Sequence, residues 1–451
     1  MNSRVGRRAV VVGAGIGGLS AAGALAKHFD EVVVLERDRL AKSAGSRRGT
    51  AQDGHPHALL AGGQQALDEI FPGFAMDLVR AGAVRIQLAQ DVRYERADVG
   101  ALPQRDLGLS LLGASRPLIE FVLRNRAMAI ANIGLRTECR VTEIVPVAAG
   151  AAVRGVRFDA ASGGSEMLEA DLVVDASGRG ALTSTLLNLL GLQRPEETEI
   201  SVDITTSAVV VSIPADAPPD WKFVLTLPNP PTLALSAVLI PVEDSRWVVS
   251  VAQRGASALP ETWEDFLQAL RGLITPTLYN ALSHAKPPER IRNFNFPASL
   301  WRHFERLPCL PRGVPPIADA LCRFNPVYGQ GMSAAAKQAR LLQEVLGRAA
   351  AEPDPVAASQ AGFMAEVGSV LQTPWNMSTS ADLAFPATRG ERPKNFAESR
   401  QFEAALFRAV IADPFVHRAV MAVGQLLQPH SLLGEPEIMR RVEAVSAQTS
   451  R

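Results

Sequence analysis

The sequence predicts an α/β fold: a Rossmann-type nucleotide-binding domain interrupted by an inserted, mainly antiparallel β-sheet domain and closed by a C-terminal helical segment. Three observations predict it. Residues 10–36 run strand, glycine turn, helix, strand; residues 199–254 change to β-branched runs separated by Pro, Asp and Asn; and the chain beyond residue 391 returns to helical spacing. The expected division is therefore 1–198 for the first part of the nucleotide-binding domain, 199–298 for the sheet, 299–390 for the return segment and 391–451 for the terminal helices.

The first unit reads VVVGAGIGGLSAAGALAKHFDEVVVLE. Gly13 allows the tight turn, Gly15 lets backbone N–H groups approach a pyrophosphate, and Gly18 lets the helix lie close on the strand. An anion there faces the positive end of a helix. Glu36, closing the second strand, is placed to accept hydrogen bonds from ribose hydroxyls. Glycines, flanking strands, helix and carboxylate agree, so the unit predicts a bound dinucleotide.

Composition narrows the partners. The chain has 451 residues, 47% of them hydrophobic, enough for two or three domains. Its 46 basic and 46 acidic residues cancel without a long block of one sign, which excludes the electrostatic footprint of a nucleic-acid binder. Cys139, Cys309 and Cys322 lack metal or disulfide spacing and predict a reducing cytoplasm. Arg4, Arg7 and Arg8 before an uncharged stretch imitate a secretion signal, but the glycine fingerprint accounts for that stretch, and no segment offers about 20 consecutive apolar residues for a membrane span.

Along the chain, Leu67, Ile70 and Phe71 predict a helix after the Arg-, Gly- and His-rich loop 41–60. Ser115, Pro117, Leu118, Val122 and Ala129 predict another, with Ser115 as its cap. Strands are expected over 141–147, 153–158 and 172–174. In the tail, Phe402, Leu406 and Val410 share a face, Asp413-Pro414 restarts the helix, and Val416, Val420, Val423 and Leu427 continue a stripe. Core is the ordinary meaning of such a stripe; a lid over a greasy substrate, a dimer face or a membrane-surface patch are the alternatives.

Two later segments add ligand-facing backbone. Residues 170–180, ADLVVDASGRG, end a strand in Asp175 followed by glycines; residues 317–335, IADALCRFNPVYGQGMSAA, offer Asp319 to sugar-type hydroxyls and bare N–H groups around Pro326, Gly329 and Gly331. With these segments the sequence resembles the FAD-dependent aromatic hydroxylase (p-hydroxybenzoate hydroxylase-like) superfamily, and within it the polyene and polyketide epoxidase-type flavin monooxygenases. The resemblance spans nearly the whole chain. It includes Arg47-x-Gly49-x-x-Gln52-x-x-His55-x-His57-x-Leu59-Leu60, Ser115-Arg116-Pro117-Leu118, FNPVYGQGM from Phe324 to Met332, and Pro374-Trp375 followed by Thr379 and Asp382.

The resemblance implies FAD contacts at Gly13, Ala14, Gly15, Gly18, Glu36, Arg37, Arg47, Arg116, Val141, Asp319, Gly331 and Met332, with Pro326 and Gly331 at the flavin face. It implies a reduced flavin that captures O2 as a C4a-hydroperoxide and gives one oxygen to an alkene, polyketide or aromatic ring, in secondary metabolism. The protein's task is then to orient and to exclude water. Only one GxGxxG exists, so electrons come from NAD(P)H docking transiently or from a separate flavin reductase. Alternatives are a prenyl-reductase-like flavoenzyme, a halogenase, whose usual Trp-x-Trp-x-Ile-Pro is absent, and a degenerate flavoprotein that only binds partners. Two departures bear on affinity. The family's Gly-Asp pair is Ala318-Asp319 here, a methyl where positive φ is wanted, and Pro315-Pro316 interrupt the strand before it, pushing it toward an edge or bulge. Loose FAD binding is the expectation. Ala181-Leu182-Thr183 also stand where relatives carry serine and arginine. His55 and His57, two apart with no carboxylate or cysteine cluster, predict pocket lining or polar packing before a metal. Arg47 and Arg48 predict either a flavin or phosphate contact or a solvated surface, Cys322 a small buried residue, and Tyr328 a packed or substrate-bonding hydroxyl.

Overall fold

The computed structural model describes residues 4–47, 49–50, 52–147, 150–178, 181–255 and 259–449; Arg48, Arg179 and Gly180 lie outside them. Strand Gly6–Val12 runs parallel between Phe29–Leu35 and Leu172–Asp175, and Ile133–Arg136 extends the sheet beyond Phe29–Leu35. The valine-rich strands are buried on both faces, as a parallel sheet requires. Helix Ile16–Ala26 covers one face. On the other lies an antiparallel meander, Arg140–Pro146, Val153–Asp159 and Ser165–Glu169, whose Ile144, Val156 and Phe158 pack on Val10, Val12, Val33 and Leu35.

Gly13 has φ +102°, and a Cβ on Gly18 would stand 1.9 Å from the Gly13 carbonyl oxygen. The turn and the close helix therefore exclude any side chain at both positions.

The return segment completes this domain. Val173 and Asp175 donate to the Gly313 and Pro315 carbonyls, and Ile317 donates back to Asp175. Residues 313–317 thus line the sheet's outer edge, where the N–H groups that two prolines lack are not missed. On the far side, the Gln360 side-chain Oε1 accepts the Gly313 and Val314 N–H groups at 2.8 Å each, which closes the edge.

The second sheet has eight strands, in the order Cys322–Arg323, Arg292–Arg302, Glu197–Ser212, Arg246–Arg254, Ser236–Val242, Phe223–Thr226, Val92–Arg96, Gly100–Ala101. Pairing is antiparallel except where Val92–Arg96 meets Phe223–Thr226. Three of its strands come from outside residues 199–298. One face packs Val224, Leu239, Trp247 and Val249 against helices Trp263–Arg271 and Thr277–Leu282, the first begun by a Thr262–Asp265 capping box. These helices have no counterpart in the sequence expectations. The opposite face is turned to a cavity.

Helices Gly331–Ala349 and Pro355–Leu383 pack on the first domain. Phe396–Ala412, Pro414–Gly424 and Pro436–Thr449 build a separate core in which Leu406, Val410, Val416, Val420 and Val423 are buried. Asp413 caps the second of these helices by accepting from Phe415 at 2.7 Å. Ser115 accepts the Leu118 N–H as expected, although Ala129 ends exposed at the C-cap of that helix. Among the described residues no helix is long and apolar enough to cross a membrane.

Candidate active site

One cavity of about 1870 Å³ joins the N-terminal glycine turn, the Asp319 segment and the Pro326–Gly331 turn to the open face of the large sheet and to the terminal helices. Gly13, Gly15, Gly18, Glu36, Arg37, Arg47, Arg116, Val141, Asp319, Pro326, Gly331 and Met332 all line it. Ala14 does not. It is buried, and its N–H donates to Glu36 Oε2 at 2.7 Å, so it braces the turn from behind.

At the end of strand Phe29–Leu35, Glu36 also accepts the Asp38 N–H at 2.9 Å. Arg47 is neither solvated nor free to take a phosphate alone. Its guanidinium spans Glu120 at 2.6 and 3.2 Å and Asp38 at 2.9 Å, with Glu36 at 3.4 Å. Burial works against its charge, but the hydrogen bonds and charges of Glu120, Glu36 and Asp38 outweigh that and hold its pKa above the ordinary value.

Asp319 and Arg116 stand apart from such saturation. Ala318 has φ +53°, the left-handed conformation the sequence expects of glycine, and its N–H donates to Gln338 at 2.8 Å. Its methyl sits where a Cβ on Gly17 would come within 2.7 Å. Asp319 follows with its carboxyl opening into the cavity, walled by protein yet reachable, and among the described residues no group hydrogen-bonds its side chain. Burial pushes that carboxyl up, offset by the positive charges of Arg116, Arg323 and Arg302. The Arg116 Nε is buried without a hydrogen bond, with the Glu120 carboxylate 3.7 Å away, and burial lowers its pKa against the opposing charge of Glu120. A carboxylate without a hydrogen-bond donor and a guanidinium held only loosely, by Glu120, on one wall suit the hydroxyls and phosphate of a ribityl chain.

Beyond them the backbone turns at Asn325–Gly329. Asn325 accepts the Val327 N–H at 3.2 Å, Gly329 adopts φ +65°, and helix Gly331–Ala349 starts with no side-chain cap. A Cβ on Gly331 would meet nothing within 4 Å, so this helix end faces open cavity. Asp382 holds the turn. Its buried carboxylate accepts Asn325 Nδ2 at 3.0 and 3.1 Å, the Tyr328 hydroxyl at 2.8 Å and the Arg254 guanidinium. Tyr328 is therefore tied to Asp382. Burial raises the carboxyl's pKa while Arg254, Asn325 and Tyr328 oppose it.

No family model matches the chain. Protein Rv3254 of Mycobacterium tuberculosis (strain ATCC 25618 / H37Rv) is 31% identical over 437 residues, covering 93% of this chain and 91% of that one. The chain belongs to the same family as Rv3254. Among solved structures it is similar to the flavin-dependent brominase Bmp2 (TM-score 0.68, 15% identity, 99% of this chain and 100% of that one). It is similar also to p-nitrophenol 4-monooxygenase PnpA from Pseudomonas putida DLL-E4 (0.65, 18%, 94% and 99%) and to a flavoprotein/dehydrogenase from Cytophaga hutchinsonii (0.70, 14%, 98% and 100%). It shares its fold with these flavin enzymes.

In this member of the Rv3254 family, His55 and His57 enter the same cavity. The ring of His57 has Nδ1 2.8 Å from the His55 carbonyl, which can only accept, so Nδ1 carries the proton and Nε2 the lone pair. Burial and the Arg116 charge lower its pKa to about 3; burial, then Arg292, lowers that of His55 to about 4. Both rings are neutral at pH 7. No group of three or more His, Cys, Asp or Glu among the described residues could hold a metal ion. Asp382 and Tyr94 were missed as candidate site residues. Asp382 does stand in the family pattern, but the pattern alone gives it no role.

Proposed function

We propose that this protein is an FAD-dependent monooxygenase that transfers one oxygen atom from O2 to an apolar alkene, polyketide or aromatic metabolite, by epoxidation or hydroxylation, in secondary metabolism. The observation that carries the reading is the continuity of the cavity from the dinucleotide turn, past Arg116 and an Asp319 carboxyl that no described residue hydrogen-bonds, to an apolar chamber. FAD would be held by the Gly13–Gly18 turn at its pyrophosphate, by Glu36 at the adenosine ribose, by Asp319 and Arg116 along the ribityl chain, and by Pro326, Gly331 and Met332 beside the ring. When bound and reduced, it supplies activated oxygen.

The chain's own residues supply position and dryness. Asp382 fixes the turn beside the ring through Asn325 and Tyr328. Alternate residues of the sheet, Phe223 and Leu225, Val238 and Ile240, Phe294 and Phe296, roof the chamber, and the terminal helices close it with Leu406, Phe407, Val420 and Met421. Keeping water out protects a reactive oxygen donor and makes an acid–base pair unnecessary. The tail stripe thus belongs both to a core and to the substrate wall. NAD(P)H, docking directly or acting through a separate flavin reductase, supplies the electrons in the cytoplasm.

The test begins with purified protein titrated with FAD to saturation, binding being read by the flavin spectrum and fluorescence at equilibrium. A saturable change in flavin fluorescence, and O2 consumption after anaerobic reduction with the oxygen recovered in an added apolar alkene, are expected. No saturable FAD binding would overturn the reading.

A further inference from the structure

The end of the cavity farthest along the sheet from the flavin-facing turn is built from a different set of residues. Cys322–Arg323, which leads directly into that turn, is the first strand of the large sheet; Val92–Arg96 is the seventh, six strand spacings of about 4.8 Å away. Tyr94 and Arg96 project from it to the cavity side, and helix Phe396–Ala412 meets them with Phe407. The Phe407 ring stacks on Tyr94 at 6.2 Å, and the Arg96 guanidinium lies 3.8 Å over its face.

Charge at this end is cancelled. Arg96 bonds Asp98 at 2.9 Å and Glu403 at 3.3 Å, and Glu403 bonds Arg400 as well. A ligand carboxylate would meet a cation already shared by two carboxylates and would lose its water without gaining a partner. The Tyr94 hydroxyl differs from these paired groups. Among the described residues nothing hydrogen-bonds the Tyr94 hydroxyl, while Leu225, Val238 and Leu406 give the approach an apolar wall. Burial pushes the phenol up to about 12, so it remains a neutral donor.

We propose that Tyr94 marks the distal end of the substrate site, and that this site takes an elongated, uncharged apolar molecule carrying a hydroxyl or carbonyl oxygen at the end remote from the flavin. The inference rests on the monooxygenase reading only for which end of the molecule reacts.

Isothermal titration of the full FAD-loaded chain with 1-decanol and with decanoate tests it, using the wild type, Tyr94→Phe and Val238→Phe. Decanol should bind at least tenfold more tightly than decanoate. Tyr94→Phe should weaken decanol about fivefold, one neutral hydrogen bond, and leave decanoate unmoved; Val238→Phe, which narrows the chamber, should weaken both. Decanoate binding as well as decanol, no decanol binding, or no effect of either substitution would each overturn the proposal. The same titrations run without added FAD keep the two readings separate. A protein without saturable FAD binding overturns the flavin assignment while the alcohol-to-acid ratio still decides this one.

Discussion

Asp319 and Asp382 flank the same turn, both in surroundings that push a carboxyl up, and they meet that cost in opposite ways. Asp382 is filled from every side by Asn325, Tyr328 and Arg254. Asp319 is faced by arginines but bonded by none, on the wall of the cavity. A filled carboxylate fixes structure, whereas a bare one awaits a ligand. The contrast divides the molecule into a part that is complete as folded and a part that is not.

The largest effect should come from the complete part. Asp382→Ala strands a buried guanidinium, an amide and a phenol at once, and breaking such a network costs about 3–5 kcal/mol. Chemical denaturation of the chain without FAD should show that loss. If Asp382→Ala and Asp319→Ala destabilise the unliganded chain equally, the division fails.

Next in size is a pH effect at the two histidines. In the unfolded chain each titrates near 6.5; folded, at about 4 for His55 and about 3 for His57. The unfolded state therefore binds more protons below pH 6.5, so stability falls as pH drops from 6.5 and levels off once the folded values are passed. The slope is about 1.4 kcal/mol per pH unit for each ring. Denaturation midpoints at pH 7 and pH 5 measure it, and His57→Gln should remove about 1.4 kcal/mol per pH unit from the slope.

Asp319→Ala should act on the ligand instead. FAD affinity measured by flavin fluorescence should fall about tenfold, near 1.4 kcal/mol, while the unliganded chain keeps its stability within about 0.5 kcal/mol.

The bare part was the more legible in the sequence. Gly13 and Gly18 shape the turn through their own backbone, and Glu36 braces it from the next strand, so local spacing carries them, while Asp319 follows directly on the left-handed Ala318. The prolines before Ala318 signalled an edge, and an edge is what they form. The complete part is written in distant pairs. Asp382 lies 57 residues from Asn325 and 128 from Arg254, Arg47 lies 73 from Glu120, and Arg96 lies 307 from Glu403. No periodicity links such residues, which is why Arg47 could be read as a solvated or phosphate-binding group. Helix Trp263–Arg271 was missed although Thr262 and Asp265 stand at capping-box spacing.

The smallest effect probes the junction of the two parts, where the Ala318 methyl presses toward Gly17. Gly17→Ala alone puts two methyl carbons 2.7 Å apart, with Ala335 a further 3.5 Å neighbour, so helix Ile16–Ala26 must shift away from the Ala318 turn. Ala318→Gly alone relieves a left-handed alanine, worth about 1 kcal/mol, but loosens the unfolded chain by about as much, so its own effect should stay below 1 kcal/mol. The double variant removes the principal clash. Its stability should exceed the sum of the single effects by about 1 kcal/mol in a double-mutant cycle. A cycle that closes at zero would mean that Ala335, and not the methyl in place of the family's glycine, is what keeps position 17 bare.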